Sequence, residues 1–148
     1  MKLSKILLVI FSLFIFLGCE ANSANSSQLS EQSKIKKKWI DYTYNYTKQF
    51  TKNTGADFKK TLYYLGVTHS PKNNDEKLEE EDIKIIKTYT NTNEIIYILY
   101  LINNLTKNFQ ISFEDEESMK KQIHQWVSMS ASGARWKSLK TLFSHIEY

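Results

Sequence analysis

The stretch from Asn93 to Phe109, NEIIYILYLINNLTKNF, decides how this chain folds. Ile95, Leu99, Ile102, Leu105 and Phe109 recur at spacings of four, three, three and four, the period of a helix rather than the two of a strand. Ile96, Tyr97, Ile98 and Leu101 fill the remaining sides, so the pattern predicts a central helix that is apolar nearly all round, with Asn93 as its N-cap. The stretch also exceeds the five or six residues, roughly, of an ordinary strand. Against this stands the tetrapeptide Thr90-Asn91-Thr92-Asn93, which separates IKIIKTY from EIIYILYLI. Both flanks are rich in Ile and Tyr, so a hairpin across residues 83–102 is the alternative. The helix implies an all-α bundle, the hairpin an α+β fold.

Outward from this stretch the chain repeats the helical pattern. On the C-terminal side, Gln110 to Phe113 is a short extended link, and Ser112 with the acidic run Glu114 to Glu117 marks a helix start. Met119, Ile123, Trp126 and Val127 form the stripe of that helix. The small-residue segment SMSASGA, Ser128 to Ala134, is expected to break it with a turn at Gly133. Trp136, Leu139, Leu142, Phe143 and Ile146 then supply a last amphipathic helix. On the N-terminal side, DEKLEEED from Asp75 to Asp82 starts a helix with Leu78, Ile83, Ile86 and Tyr89 toward the core. Val67 to Asp75, which holds the single proline, Pro71, is expected to be a loop. A short helix carries Phe58, Leu62 and Leu65 and is expected to end at Gly66. A long one begins near Ser30, buries Ile35, Trp39, Tyr42, Tyr46 and Phe50, and ends at Asn53 to Gly55. Five or six helices in a single bundle spanning residues 30–148 are therefore predicted.

The first eighteen residues do not belong to that bundle. Lys2 and Lys5 precede an apolar run from Ile6 to Leu17 interrupted by Ser12, and Gly18 comes before Cys19. The run is shorter than the roughly 20 residues a spanning helix needs and is followed at once by polar sequence, which marks a cleaved signal peptide. Cleavage after Gly18 leaves 130 of the 148 residues, enough for one domain with a sizeable core. Two of the 20 basic residues leave with the leader and all 16 acidic ones stay, so the formal charge falls from +4 to +2. Such a balance gives no support to nucleic-acid binding. Residues 20–28, EANSANSSQ, hold nothing apolar larger than alanine and read as a flexible tether.

Phe16-Leu17-Gly18-Cys19 resembles the lipobox of bacterial lipoproteins, with Phe16 in place of the commonest first residue. The resemblance implies that Cys19 is lipidated and becomes the first residue of the mature protein, which partners the membrane through its N-terminal lipid. Cys19 is the sole cysteine, so lipidation excludes both intramolecular disulfides and thiol catalysis. Together with the Ser/Asn tether, the Lys, Asn and Ile bias and the helical mature segment, this leader is similar to those of the plasmid-encoded outer surface lipoproteins of Borrelia-type spirochaetes. That likeness implies display on the outer membrane and an antigenic or host-interaction role. Glu20 rather than aspartate follows the cysteine, so the inner-membrane retention signal of enteric bacteria is absent.

No residue pattern for catalysis emerges. His69, His124 and His145 form no ligand-spaced pair. Glu117 and His124, seven residues apart on one helix, are separated by about 10 Å, too far to share a metal. There is no GxSxG turn, and Ser128, Ser130 and Ser132 suit a tight turn better than a nucleophile. The acidic clusters Glu79 to Asp82 and Glu114 to Glu117 lack the spacing of a calcium loop and stand where helix starts favour negative charge. No enzyme, cofactor or metal is expected. The candidate binding patch is on the first helix, where Lys34, Lys36, Lys37 and Lys38 accompany Tyr44, expected to point away from the main apolar stripe. Four lysines in five residues are usually a solvated face. Near a membrane they are also suited to an acidic host protein, anionic lipid headgroups or a sulfated polysaccharide. The expected role is a non-enzymatic surface lipoprotein, with a periplasm-facing structural or assembly lipoprotein as the alternative.

Overall fold

The Asn93 to Phe109 stretch is helical as far as Lys107, with Phe109 beyond the helix end and half exposed, and the hairpin does not form. A computed structural model describes residues 29–71 and 78–144, with side chains as far as residue 135; the leader, Cys19 and the tether lie outside the described residues. Five helices and no strand are present among the described residues. They are α1 (Glu31–Thr54), α2 (Phe58–His69), α3 (Glu80–Ile86), α4 (Thr92–Lys107) and α5 (Glu116–Ser144). None is long and apolar enough to cross a membrane.

The central helix, α4, begins at Thr92, so Asn91 occupies the cap position and Asn93 is an exposed residue of the first turn. The Asn91 carbonyl accepts the Ile95 N–H at 3.2 Å. In this register Ile95, Ile98, Leu99, Leu101, Ile102 and Leu105 are all at most 1 % exposed. Ordinary burial of such side chains is worth about 1.5–3 kcal/mol each, far more than the choice of cap residue.

Capping sets the ends of α1 as expected. The Ser30 hydroxyl accepts the Ser33 N–H at 3.1 Å, and Gly55 ends the helix at φ 73°, where a glycine carries no steric penalty. The Arg135 guanidinium of α5 donates to the Thr54 carbonyl at that end. The buried face is rotated from the predicted one. Trp39, Ile40, Thr43, Thr47 and Thr51 are buried, whereas Ile35, Tyr42, Tyr46 and Phe50 are only partly so. Three of these positions are threonines spaced by four, each donating its hydroxyl to the carbonyl one turn back at 2.7–2.8 Å. Satisfied in this way, a threonine is buried without an orphaned polar group.

Two predicted glycine stops fail. The second helix, α2, runs through Gly66 to His69 and ends instead at Ser70, whose backbone is extended (ψ 143°) because Pro71 follows. Val67 to His69 are thus helical rather than part of the loop. Gly66 serves packing: a Cβ there would lie 2.6 Å from both Cβ and Cγ of Tyr97 on α4. The other expected stop, SMSASGA, is continuous helix within α5. Serine and alanine are compatible with a helix, and a single interior glycine costs only about 1 kcal/mol. Ser130, Ala131 and Ala134 are buried, which ties the segment to the bundle.

The short α3 keeps its acidic first turn but turns a different face inward: Asp82 and Ile85 are buried and Ile83 is exposed. The most extensive packing is of α2 against α4, followed by α2 against α5. The first helix lies across α4, α2 and α5 and touches α3.

Candidate functional site

The lysine run starts on the first turn of α1, and the helix distributes it over different environments. Lys34 pairs with Glu31 at 3.1 Å on the surface. Lys36 points inward to an ion pair with Asp82, whose side chain is 1 % exposed and whose other oxygen accepts from Asn103 at 3.1 Å. Lys37 binds Asp41 one turn on at 3.2 Å and places its ammonium 4.5 Å from the centre of the Tyr89 ring. Lys38 is exposed and makes no ion pair among the described residues. Tyr44 does not point away from the bundle. Its ring packs edge-on against Phe58 at 5.3 Å and its hydroxyl donates to Glu94 at 3.4 Å.

What the fold does assemble around Lys37 and Tyr44 is a cleft. Asp41, Tyr44 and Asn45 of α1 face Tyr89, Thr90 and Asn91 of the α3–α4 turn, with Ile95 of α4, around a space of about 410 Å³. The Tyr89 hydroxyl donates to Asp41 Oδ1 at 2.5 Å, beside the Lys37 bond to Oδ2. Across the cleft, Glu94 Oε2 accepts from Tyr44 and from Asn91 Nδ2 at 3.1 Å. Burial, then the neighbouring Asp41, pushes the Tyr89 hydroxyl far above its ordinary range. Burial and then Glu94 push Tyr44 up as well. Both tyrosines therefore stay protonated donors at neutral pH. The Asn45 amide and Thr90 hydroxyl make no hydrogen bond with the described residues.

Lys37 and Tyr44 were recognisable in the sequence, but Asp41, Asn45, Thr90 and Asn91 were not singled out and Tyr89 was expected in the core. The signal available was the spacing of Lys37, Asp41 and Asn45 by four, which places one cation, one carboxylate and one amide along a single edge of α1. A second groove, about 530 Å³, lies nearer the tether between Gln32 and Ile35 of α1 and the α4–α5 link from Gln110 to Glu114.

The remaining candidates disperse. His69 is buried, with Nδ1 2.6 Å from the Asn104 amide and its ring against Trp126. His124 hydrogen-bonds the Tyr42 hydroxyl at 2.6 Å and stacks on Tyr46 at 4.0 Å. No group of three metal-ligating side chains gathers among the described residues, and His145 lies outside them. Ser128 and Ser132 are exposed and Ser130 is buried on one continuous helix, and none of them hydrogen-bonds a described histidine. Asp115 caps α5 by accepting the Ser118 N–H at 3.1 Å, so the second acidic cluster serves the helix start. No protein-family model, curated protein or solved structure matches this chain.

Proposed function

We propose that this chain is a lipid-anchored lipoprotein of the outer membrane, displayed at the cell surface, whose helical domain is a non-enzymatic recognition module for a host partner. The observation that carries this reading is the sequence FLGC at 16–19, followed by a polar tether and then a packed domain. Among the described residues the first buried side chain is Leu29, 5 % exposed. Ten residues of extended chain from Cys19 reach no more than about 35 Å, so the lipid holds the domain close to the membrane surface. Several acyl chains at about 0.8 kcal/mol per buried methylene make that attachment stable. The resemblance to spirochaetal surface lipoproteins supports host contact over an internal envelope role, and a host protein or polysaccharide is the partner proposed.

Protease treatment of intact cells tests display. The protein should be digested on intact cells, and the Cys19→Ser form should leave the membrane fraction. Survival of the wild-type protein until the envelope is opened would place it in the periplasm and defeat the reading. Detergent-phase partitioning of the Cys19→Ser form would defeat the anchor itself.

A further inference from the structure

The chemistry of the α1 cleft narrows what it accepts. Among the described residues no lysine or arginine lines it; Lys37 at its edge is engaged by Asp41 and the Tyr89 ring, while Asp41 and Glu94 are both carboxylates. A phosphate, sulfate or carboxylate ligand would therefore meet two carboxylates and no basic side chain in the lining. An aliphatic amine would have to compete with the Lys37 ammonium at Asp41 and the Tyr89 ring, and at Glu94 with the Tyr44 hydroxyl and Asn91 amide that already donate to Oε2. What remains are the Tyr44 ring, two planar amides, Asn45 and Asn91, and the Thr90 hydroxyl, of which Asn45 and Thr90 have unused donors and acceptors. Apolar faces combined with a few polar groups that both donate and accept suit an uncharged ligand rich in hydroxyls. About 410 Å³ falls within the ordinary range of small-molecule sites, roughly 300–1,000 Å³.

We propose that this cleft binds a neutral sugar residue, with Asn45, Thr90 and Asn91 on its hydroxyls and Tyr44 against its ring face. The inference rests on the reading of the domain as a recognition module and supplies its ligand class, a neutral glycan rather than a sulfated one.

Saturation-transfer NMR on the full chain in zwitterionic detergent micelles tests the site. The probes are the methyl glycosides of glucose, galactose, mannose, N-acetylglucosamine and N-acetylgalactosamine, with heparin and butylamine as charged comparators. At least one neutral sugar should bind saturably. Asn45→Ala and Thr90→Val, both at exposed positions with no hydrogen bond in the fold, should each weaken it about five- to tenfold, as expected for losing a direct hydrogen bond. Tyr63→Ala, on the exposed side of α2, should leave binding unchanged. The site is overturned if no neutral sugar binds, if only heparin or butylamine binds, or if sugar binding survives both cleft variants unchanged. These measurements use isolated protein, so sugar binding by a protein protected in intact cells would sink surface display and leave the site standing.

Discussion

Gly66 stands where α2 packs directly against Tyr97 of α4, and the reason for a glycine is the space taken by that residue. A methyl group there must displace the Cβ of Tyr97, which moves only with the α4 backbone, rather than the free end of a flexible side chain. Gly66→Ala gains about 1 kcal/mol in helix propensity. The forced overlap costs about 1–3 kcal/mol, and more where backbone must yield. The clash wins, so the urea midpoint of Gly66→Ala should fall; a raised midpoint would mean that the two helices are not in such close contact. The sequence marked this glycine as special but suggested the wrong reason, because a stop and a close approach use the same residue. The threonines of α1 show the same limit. Thr43, Thr47 and Thr51 looked polar, and only their hydrogen bonds to the preceding turn reveal how they become a buried face. The cleft was legible in Tyr44 and Lys37, but their partners Glu94 and Tyr89 come from a helix and a turn about fifty residues away, which no periodicity within α1 can specify.

At the level of elements, hydrophobic spacing located α1, α2, α4 and the general position of the short α3, whose inward face it misassigned, but divided α5 into two helices. Spacing failed across SMSASGA because small residues carry a weak apolar signal even when they are buried, as Ser130, Ala131 and Ala134 are. Continuity of α5 has a measurable consequence at Gly133. It lies inside the helix, its φ is not left-handed, and a Cβ built on it meets nothing within 4 Å. Gly133→Ala should therefore stabilise the protein by up to about 1 kcal/mol by reducing the backbone entropy lost on folding. Chemical denaturation reads the effect directly. A loss of stability would mean that the chain turns at Gly133, as the sequence first suggested, and that α5 is two helices.

For the whole molecule, the sensitive point is the place where α2, α4 and α5 meet around His69. The Asn104 amide oxygen accepts from Asn108 at 2.5 Å, which orients its nitrogen toward His69 Nδ1 and leaves the imidazole proton on Nε2. Among the described residues that Nε2 has no hydrogen-bond partner, and neither has the indole nitrogen of Trp126, whose ring stands edge-on to the imidazole at 4.4 Å. With no carboxylate among the described residues to stabilise the charged form, burial lowers the His69 pKa from 6.5 to about 4. The folded protein thus holds this histidine neutral while the unfolded chain protonates it below pH 6.5. In that range the unfolded state binds more protons, so stability declines as pH falls, at up to about 1.4 kcal/mol per unit, and levels off below pH 4 when both states are protonated. Glu81, Glu114 and Asp115, held below their ordinary values chiefly by side-chain hydrogen bonds with Ser33, Ser112 and Ser118, also favour the fold at higher pH, but their loss lies below the ordinary carboxylate range. His124 is lowered too, by burial and then Lys120, so both described histidines contribute to the slope below pH 6.5. Urea unfolding across that window should show a clear slope in the wild type and a much shallower one in His69→Gln, whatever the absolute stability of the variant. An equal slope in both would show that His69 is hydrated, and that the junction of the three helices is more open than its packing indicates.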